Sequence, residues 1–469
     1  MKGLVTALAP ILAAAVASSA GAAPTPAQPE FTVVPGQAIV GSFSGFGGQM
    51  NQHVYADISG PPPDLPGLET KLLALQPQFV RVFFNTTEWT FADRLASFVR
   101  TVQLAQRTGA QIDITWQGST FPFAAANMGR FADVLADLLQ NRGVDSLWVT
   151  LFNEPNSTQL TLPQYEQVYR LLDSALRTHG VRDRVHFMGG DLVGTESPRG
   201  QTQTDWFTYM ANHMSDLLDA WSVHVYWNFW EPDKIERRLD TEVRAIFAAI
   251  PADLRRPVYV TEFGVRGLPT IEGEQNFQPG VWLDGTPMTR TTEAAFQQAW
   301  FMIRSAALGF SGLSEWDLDA GKYDNGTQDY SAVGPGISGW PLRPAYNLLR
   351  LLTLTTQPRG GDIVEVASAA DADPAKLLAA YVSPANDITV LGLDTDGGRL
   401  GTASNDPIPY SVGGLPANKL FPLLVWNADG KGALSDVGFL DSGPTGMVQL
   451  SVPMNGVFAL TDAGLPPLR

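Results

Sequence analysis

Between residues 36 and 357 short apolar runs alternate with longer helix-patterned stretches, and the alternation repeats eight times. Consecutive parallel strands require a crossover between them, and a helix is the usual one, so this pattern restricts the chain to α/β architectures with helices covering a parallel sheet. The strand candidates are 38–43, 79–85, 111–116, 147–153, 185–190, 221–226, 257–263 and 311–316. The clearest helix starts at Thr161, whose hydroxyl can form a capping box with Gln164 and which then places Val168, Leu171, Leu172, Ala175 and Leu176 on one face. A second runs from about Thr292 through Phe296, Trp300 and Ile303 to a C-terminal Gly309. Others fall near 91–108, 127–141, 205–217, 235–249 and 343–354. Eight units favour a closed (β/α)8 TIM barrel over an open doubly wound sheet, and no GxGxxG or GxxxxGK[ST] loop follows the first strand.

After Pro358-Arg359-Gly360-Gly361 the helical pattern stops. Short alternating segments at 377–382, 388–393, 423–426, 447–452 and 457–461, separated by Gly, Pro, Asn and Asp, predict a C-terminal all-β sandwich over 358–469. Phe31–Val34 could add a strand to either unit. A Pro/Ala-rich linker and N-terminal segment covers 23–35, and 1–22 has the form of an export signal: Lys2, then an apolar run from Leu4 to Val16, then Ala20-Gly21-Ala22. That apolar run is too short for a spanning helix, so a secreted protein without stable membrane insertion is expected once the signal is removed. The absence of Cys excludes disulfides and thiol catalysis, and a net charge of −16 argues against nucleic acid as a partner. Twelve Trp suit a protein that stacks flat ligands such as sugar rings, although core packing accounts for tryptophan equally well.

Side chains at the C-terminal ends of barrel strands face one shared cleft. The fourth strand candidate runs into Asn153-Glu154-Pro155, and the seventh into Thr261-Glu262-Phe263-Gly264. A lone Glu at such a place is most simply a solvated strand end or half of an ion pair. Two of them, three strands apart around the ring, make a pair able to face each other across the cleft. Retaining glycoside hydrolysis needs two carboxyl groups about 5–5.5 Å apart, one protonated and one ionised.

Leu151-Phe152-Asn153-Glu154-Pro155-Asn156 and Val260-Thr261-Glu262-Phe263-Gly264 resemble the acid/base and nucleophile motifs of glycoside hydrolase clan A. Asn-Glu-Pro-Asn leans toward its xylosidase-like family thirty-nine, and Thr-Glu-Phe-Gly toward its cellulase-like family five. The resemblance implies Glu154 as acid/base, Glu262 as nucleophile and Asn153 as a ligand of the sugar 2-hydroxyl. It also implies Arg81 beside the nucleophile, His224 and Tyr226 as the clan's His-x-Tyr pattern, and Trp316 as the platform under the reacting sugar. Structural ion pairing for Arg81 and burial for His224 and Tyr226 are the plainer alternatives. Trp116 is a weaker aromatic candidate for which core packing is an equal reading. Asn85 and Gln49, with Asn51, could bind sugar hydroxyls. The acidic loop Asp317, Asp319 and Asp324 could hold a cation or merely be solvated. No HExxH, clustered His or GxSxG occurs, so neither a catalytic metal nor a cofactor is expected.

These readings point to a retaining glycosidase acting on a polysaccharide or oligosaccharide. A transglycosidase would share both Glu residues, and a non-catalytic carbohydrate-binding protein would have no need of two opposed carboxylates. On this reading Glu154 carries a pKa raised by the nearby negative charge. Mass spectrometry of secreted material should find a mature chain starting near Ala23. A chain retaining Met1 would refute the signal.

Overall fold

The computed structural model describes residues 28–56, 64–117, 120–194, 198–244, 247–248, 250–270, 279–321, 330–428 and 431–464, so the proposed export signal lies outside the described residues. The first strand, β1 (Phe31–Val40), is not part of the barrel. It pairs antiparallel with residues 363–368 and, at Phe31 and Thr32, parallel with Val412 and Gly413. The sequence reading of 38–43 as the first barrel strand, and of a barrel beginning at 36, is therefore corrected.

The barrel is closed by β2 (Phe46–Met50), β3 (Phe79–Phe84), β4 (Gln111–Trp116), β5 (Leu147–Leu151), β6 (Val185–Leu192), β7 (Ala220–Asn228), β8 (Val258–Arg266) and β9 (Gly312–Glu315), with β9 returning to pair with β2. Strand β2 reads Phe-Gly-Gly-Gln-Met, a poor strand by propensity. Its Gly47 is required by approach distance: a Cβ there would lie 1.9 Å from the carbonyl oxygen of Phe79 on β3. Seven helices of eleven or more residues, at 65–75, 92–107, 121–141, 162–178, 203–213, 292–307 and 344–355, are described. The helix at 162–178 has the expected capping box, with Gln164 N donating to Thr161 Oγ1 and Thr161 N donating to Gln164 Oε1. Where one helix was expected over 235–249, a short α-turn at Lys234–Arg237 passes into a π-helix at Arg238–Arg244.

The C-terminal strands are β10 (Asp362–Ser368), β11 (Lys376–Val382), β12 (Ile388–Asp394), β13 (Pro407–Gly413), β14 (Leu420–Asn427), β15 (Ala433–Asp441), β16 (Val448–Pro453) and β17 (Gly456–Thr461). With β1 they form a nine-stranded sheet in the order β15-β14-β17-β12-β11-β10-β1-β13-β16. The sheet folds over an apolar interior that includes Phe31, Val33, Tyr410, Phe421 and Phe458.

Sandwich and barrel meet through the helices at 292–307 and 344–355. The first is buried on nearly every side because it has the barrel on one face and the sandwich on the other, and its Phe296 and Trp300 pack against Gly397 and Gly398. Trp426 of β14 is fully buried in the larger core and donates through Nε1 to the Pro344 carbonyl at 3.2 Å. Thr389 Oγ1 donates to the Thr355 carbonyl at 2.6 Å, and Gln297 Nε2 to that of Gly398 at 2.9 Å. Among the described residues no helix is long and apolar enough to cross a membrane. Replacing Trp426 by Ala removes a packed indole at this seam and should cost roughly 3–5 kcal/mol in denaturant unfolding. An unchanged midpoint would show that the seam contributes nothing to stability.

Candidate active site

Arg81 on β3 is fully buried and points into the barrel. Its five N–H groups meet five acceptors: Nε reaches Thr115 Oγ1 (2.9 Å), Nη1 reaches Gln49 Oε1 (3.3 Å) and Glu262 Oε2 (2.6 Å), and Nη2 reaches Asn153 Oδ1 (2.7 Å) and Asp191 Oδ2 (2.5 Å). One cation thus joins groups from β2, β4, β6, β8 and the loop after β5. Burial works to lower its pKa, but the charges of Asp191, Glu262 and Asp113 outweigh that and raise it. Deeper in the barrel, burial and then the charge of Asp191 push Asp113 up to about 7, against Arg81 and the hydroxyls of Thr150 and Thr115.

Two bulges aim the carboxylates. On β8 the pairing with β7 passes from Val223–Val260 to His224–Glu262, leaving Thr261 as an extra residue. A bulge breaks strand alternation, so the adjacent residues Thr261 and Glu262 both turn inward. Thr261 Oγ1 donates to Asp191 Oδ1 at 2.5 Å, while Glu262 takes the Arg81 bond and a second, 2.6 Å, from the Tyr226 hydroxyl. The strand then continues to Arg266, beyond the expected end. On β6 the pairing skips from Gly189–Trp221 to Leu192–Val223. Within that bulge Asp191 lies in the left-handed region at φ 51°, and a Cβ on Gly190 would come 2.2 Å from the Ser222 carbonyl oxygen. Glu154 follows β5 through a turn in which Phe152 and Glu154 also have positive φ, at 68° and 53°. Such conformations are unfavourable for side chains of this size and concentrate at functional sites.

His224 on β7 lies between the carboxylates: Nδ1 is 3.2 Å from Glu154 Oε1 and 3.7 Å from Glu262 Oε2, and Nε2 is 3.5 Å from Asp191 Oδ2. Nε2 faces Asp191 at the outer limit of hydrogen-bond distance, and charge carries most of that tie. Burial opposes the imidazolium, yet Glu262 and Asp191, and then the contact with Glu154, push His224 up to about 10. Asp191 is held well below the usual carboxylate range: burial would raise it, but Arg81 and His224 prevail. Glu154 is also lowered, since burial is outweighed by His224 and Arg81. The expected raised Glu154 is thus corrected, because a cation rather than a carboxylate is its hydrogen-bond partner. Tyr226 stays a neutral donor, raised first by burial and then by the charge of Glu262. One oxygen of Glu154, one of Glu262 and one His224 nitrogen lie within 4.8 Å of one another. These three could converge on a cation, but His224 would first have to give up its proton and the ion would face the charge of Arg81.

Seven of the expected residues, Arg81, Gln49, Asn153, Glu154, His224, Tyr226 and Glu262, therefore meet in one network. Trp316 follows β9, is partly exposed and stands 5.5 Å from the Phe83 ring at the cleft. Trp116 is corrected: it is fully buried among Phe84, Trp89 and Phe131, because strand alternation sends Thr115 inward and Trp116 toward the helices. Asn85 lies outside this network. Its side-chain oxygen accepts from the backbone N–H and hydroxyl of Thr87, so it fixes a turn after β3. Asp319 accepts from the N–H groups of Asn51 and Gly321, which joins two loops, and Asp324 lies outside the described residues. Asp191 was missed. The bulge that directs it has one sequence signal, the Gly189-Gly190 pair before it.

No protein-family model matches the sequence, and no curated protein matches it. Solved structures do. The fold is similar to that of a glucosidase from Croceicoccus marinus, with TM-score 0.62, 15% identity, and 92% of this chain and 98% of that chain covered. It is similar to a family 51 α-L-arabinofuranosidase from Bifidobacterium longum, with TM-score 0.62, 14% identity, and 93% and 100% covered. The catalytic domain of GH30 xylanase C from Talaromyces cellulolyticus gives TM-score 0.62 and 11% identity over 92% and 100%. At these identities the likeness is one of fold: a barrel carrying a β-sandwich.

The charge on His224 can be checked directly. A raised imidazole contributes stability that is complete below its ordinary value of 6.5 and is lost as pH rises toward about 10. Its NMR resonances should titrate near the upper value, and His224→Asn should remove that part of the alkaline loss of thermal stability. Resonances moving near 6.5 would show that the carboxylates do not hold the charge.

Proposed function

We propose that the protein is a secreted retaining glycoside hydrolase of clan A, with Glu262 as nucleophile and Glu154 as acid/base. The observation that carries this reading is the approach of Glu154 and Glu262 to within 4.8 Å, at neighbouring oxygens. That spacing suits direct attack by one carboxylate, whereas inverting enzymes keep their pair about 6.5–9.5 Å apart to admit a water. Neighbours described as GH30 and family 51 support the clan rather than families five or thirty-nine in particular.

In the first step Glu262 attacks the anomeric carbon, and the bond to the leaving oxygen breaks as Glu154 delivers a proton. Arg81 and Tyr226, each 2.6 Å from a different Glu262 oxygen, hold the carboxylate in place. Glu154 leans on a protonated His224, so its proton can come from Nδ1 across the 3.2 Å contact. That transfer turns an imidazolium–carboxylate pair into neutral imidazole and carboxylic acid. In the second step Glu154 takes a proton from water, which attacks the glycosyl–Glu262 ester and frees the sugar. Asn153, whose Oδ1 is occupied by Arg81, can present its amide N–H to the sugar 2-hydroxyl. Trp316 supplies a face for the ring. The convergence of Arg81 and Tyr226 on one carboxylate supports an enzyme over a non-catalytic binding protein.

Two displacements at one carbon return the starting anomer. Proton NMR of the first-formed sugar should show retention, and an inverted product from the unmodified enzyme would overturn the nucleophile assignment. Glu262→Ala should lower turnover by at least about four orders of magnitude, the scale on which removal of a covalent nucleophile acts. Azide should restore turnover in that variant with inverted product. Glu154→Ala should still release a burst of aglycone from activated aryl glycosides.

A further inference from the structure

A cavity of about 320 Å³ opens beside the paired carboxylates without including either of them. Gln49, Phe83 and Trp316, which belong to or adjoin the network described above, form its inner wall. The loop after β2 supplies Asn51, Gln52 and His53, and the segment after β9 supplies Asp317 and Tyr330. In the ring, β2 and β9 are neighbours and β9 adjoins β8, which carries Glu262, whereas β5, which leads to Glu154, lies across the barrel. If Glu154 protonates the leaving oxygen, the leaving group departs toward β5. Most of the cavity's lining, from the ends of β2, β3 and β9, then lies away from Glu154, on the side toward which the glycone extends, and Gln117 after β4 borders it.

We infer that this cavity is a second glycone subsite, which takes an uncharged sugar unit beyond the one being transferred, and that His53 determines its specificity. The inference rests on the glycosidase reading above. The lining chemistry suits a sugar: amide groups to bond hydroxyls and aromatic faces to cover C–H surface. Among the described residues that line it none is Lys or Arg, so this wall offers no cation to a uronate and suits an uncharged unit. His53 is fixed for the task. Its Nε2 is 2.7 Å from Glu88 Oε1, and Glu88, only 1% exposed, is itself bonded by the backbone N–H of Asn85 at 3.1 Å. The backbone N–H of His53 donates to Asn51 Oδ1 at 2.9 Å. A buried carboxylate that grips one imidazole nitrogen leaves the ring a single orientation, which is the economy of a preorganised contact.

The test compares 4-nitrophenyl monoglycosides and diglycosides of glucose and of xylose, with a glucuronyl-xyloside as the charged case. The unmodified enzyme should favour diglycosides in kcat/KM by about tenfold or more and reject the uronate. His53→Ala should erase that preference by raising KM for diglycosides, with kcat and all monoglycoside constants unchanged, and His53→Gln, which keeps a donor toward Glu88, should restore part of it. Unchanged monoglycoside turnover also reports that the variants are folded. Equal turnover of both substrate lengths by the unmodified enzyme, an equal loss on both in His53→Ala, or acceptance of the uronate would overturn the inference. Failure of the glycosidase reading appears differently: no aryl glycoside is cleaved, or Glu262→Ala remains active on all of them.

Discussion

A guanidinium at the centre of a protein is costly to desolvate, and it persists only where its charge and every N–H find partners. Arg81 meets both conditions, and the upper barrel is arranged around it. Its acceptors come from separate elements whose relative positions the cation fixes: Gln49, Thr115, Asn153, Asp191 and Glu262. Loss of any one would leave a buried donor unpaired in a low-dielectric interior, so each acceptor supports the placement of the others. The proposed catalytic geometry and structural integrity are therefore coupled here. The pair Arg81–Glu262 both neutralises a buried cation and holds the carboxylate proposed to attack.

Asp191 extends the same logic. A single buried carboxylate faces two cations, Arg81 at 2.5 Å and His224 at 3.5 Å, while Ser222 and Thr261 hydroxyls occupy its other oxygen. It keeps positive charge beside Glu154 and Glu262 without approaching the cleft itself. The two bulges, on β6 and β8, make this possible, because a regular strand cannot turn two adjacent side chains to the same side.

Seven of the eight barrel strands and the capping of helix 162–178 were legible because period and cap chemistry are local. The first barrel strand was not. Phe-Gly-Gly-Gln-Met carries little strand signal, since its glycines serve the close approach of β3, and the more apolar 38–43 drew the assignment instead. In the site, Glu154 and Glu262 stood out through their motifs, and Arg81 and His224 through resemblance. Trp116 and Thr115 are adjacent in sequence but lie on opposite faces of β4, a difference that a one-residue shift in register would reverse. Asp191 depends on a backbone irregularity. The lowered pKa of Glu154 depends on which neighbour stands nearest, which only the assembled barrel decides.

The placement of β1 bears on how the chain is assembled. Phe31 pairs with Ser368 and touches Val412, so the first described strand sits between β10 and β13, with the whole barrel intervening in sequence. During synthesis β1 is made long before its partners β10 and β13 are. Until then its Phe31 and Val33, which the finished sandwich buries, have no native surface to cover them. Closing so long a loop costs entropy, and that cost falls once a folded barrel holds the two ends of the loop close together. The barrel thereby acts as a template that delivers two distant pieces of chain to one sheet.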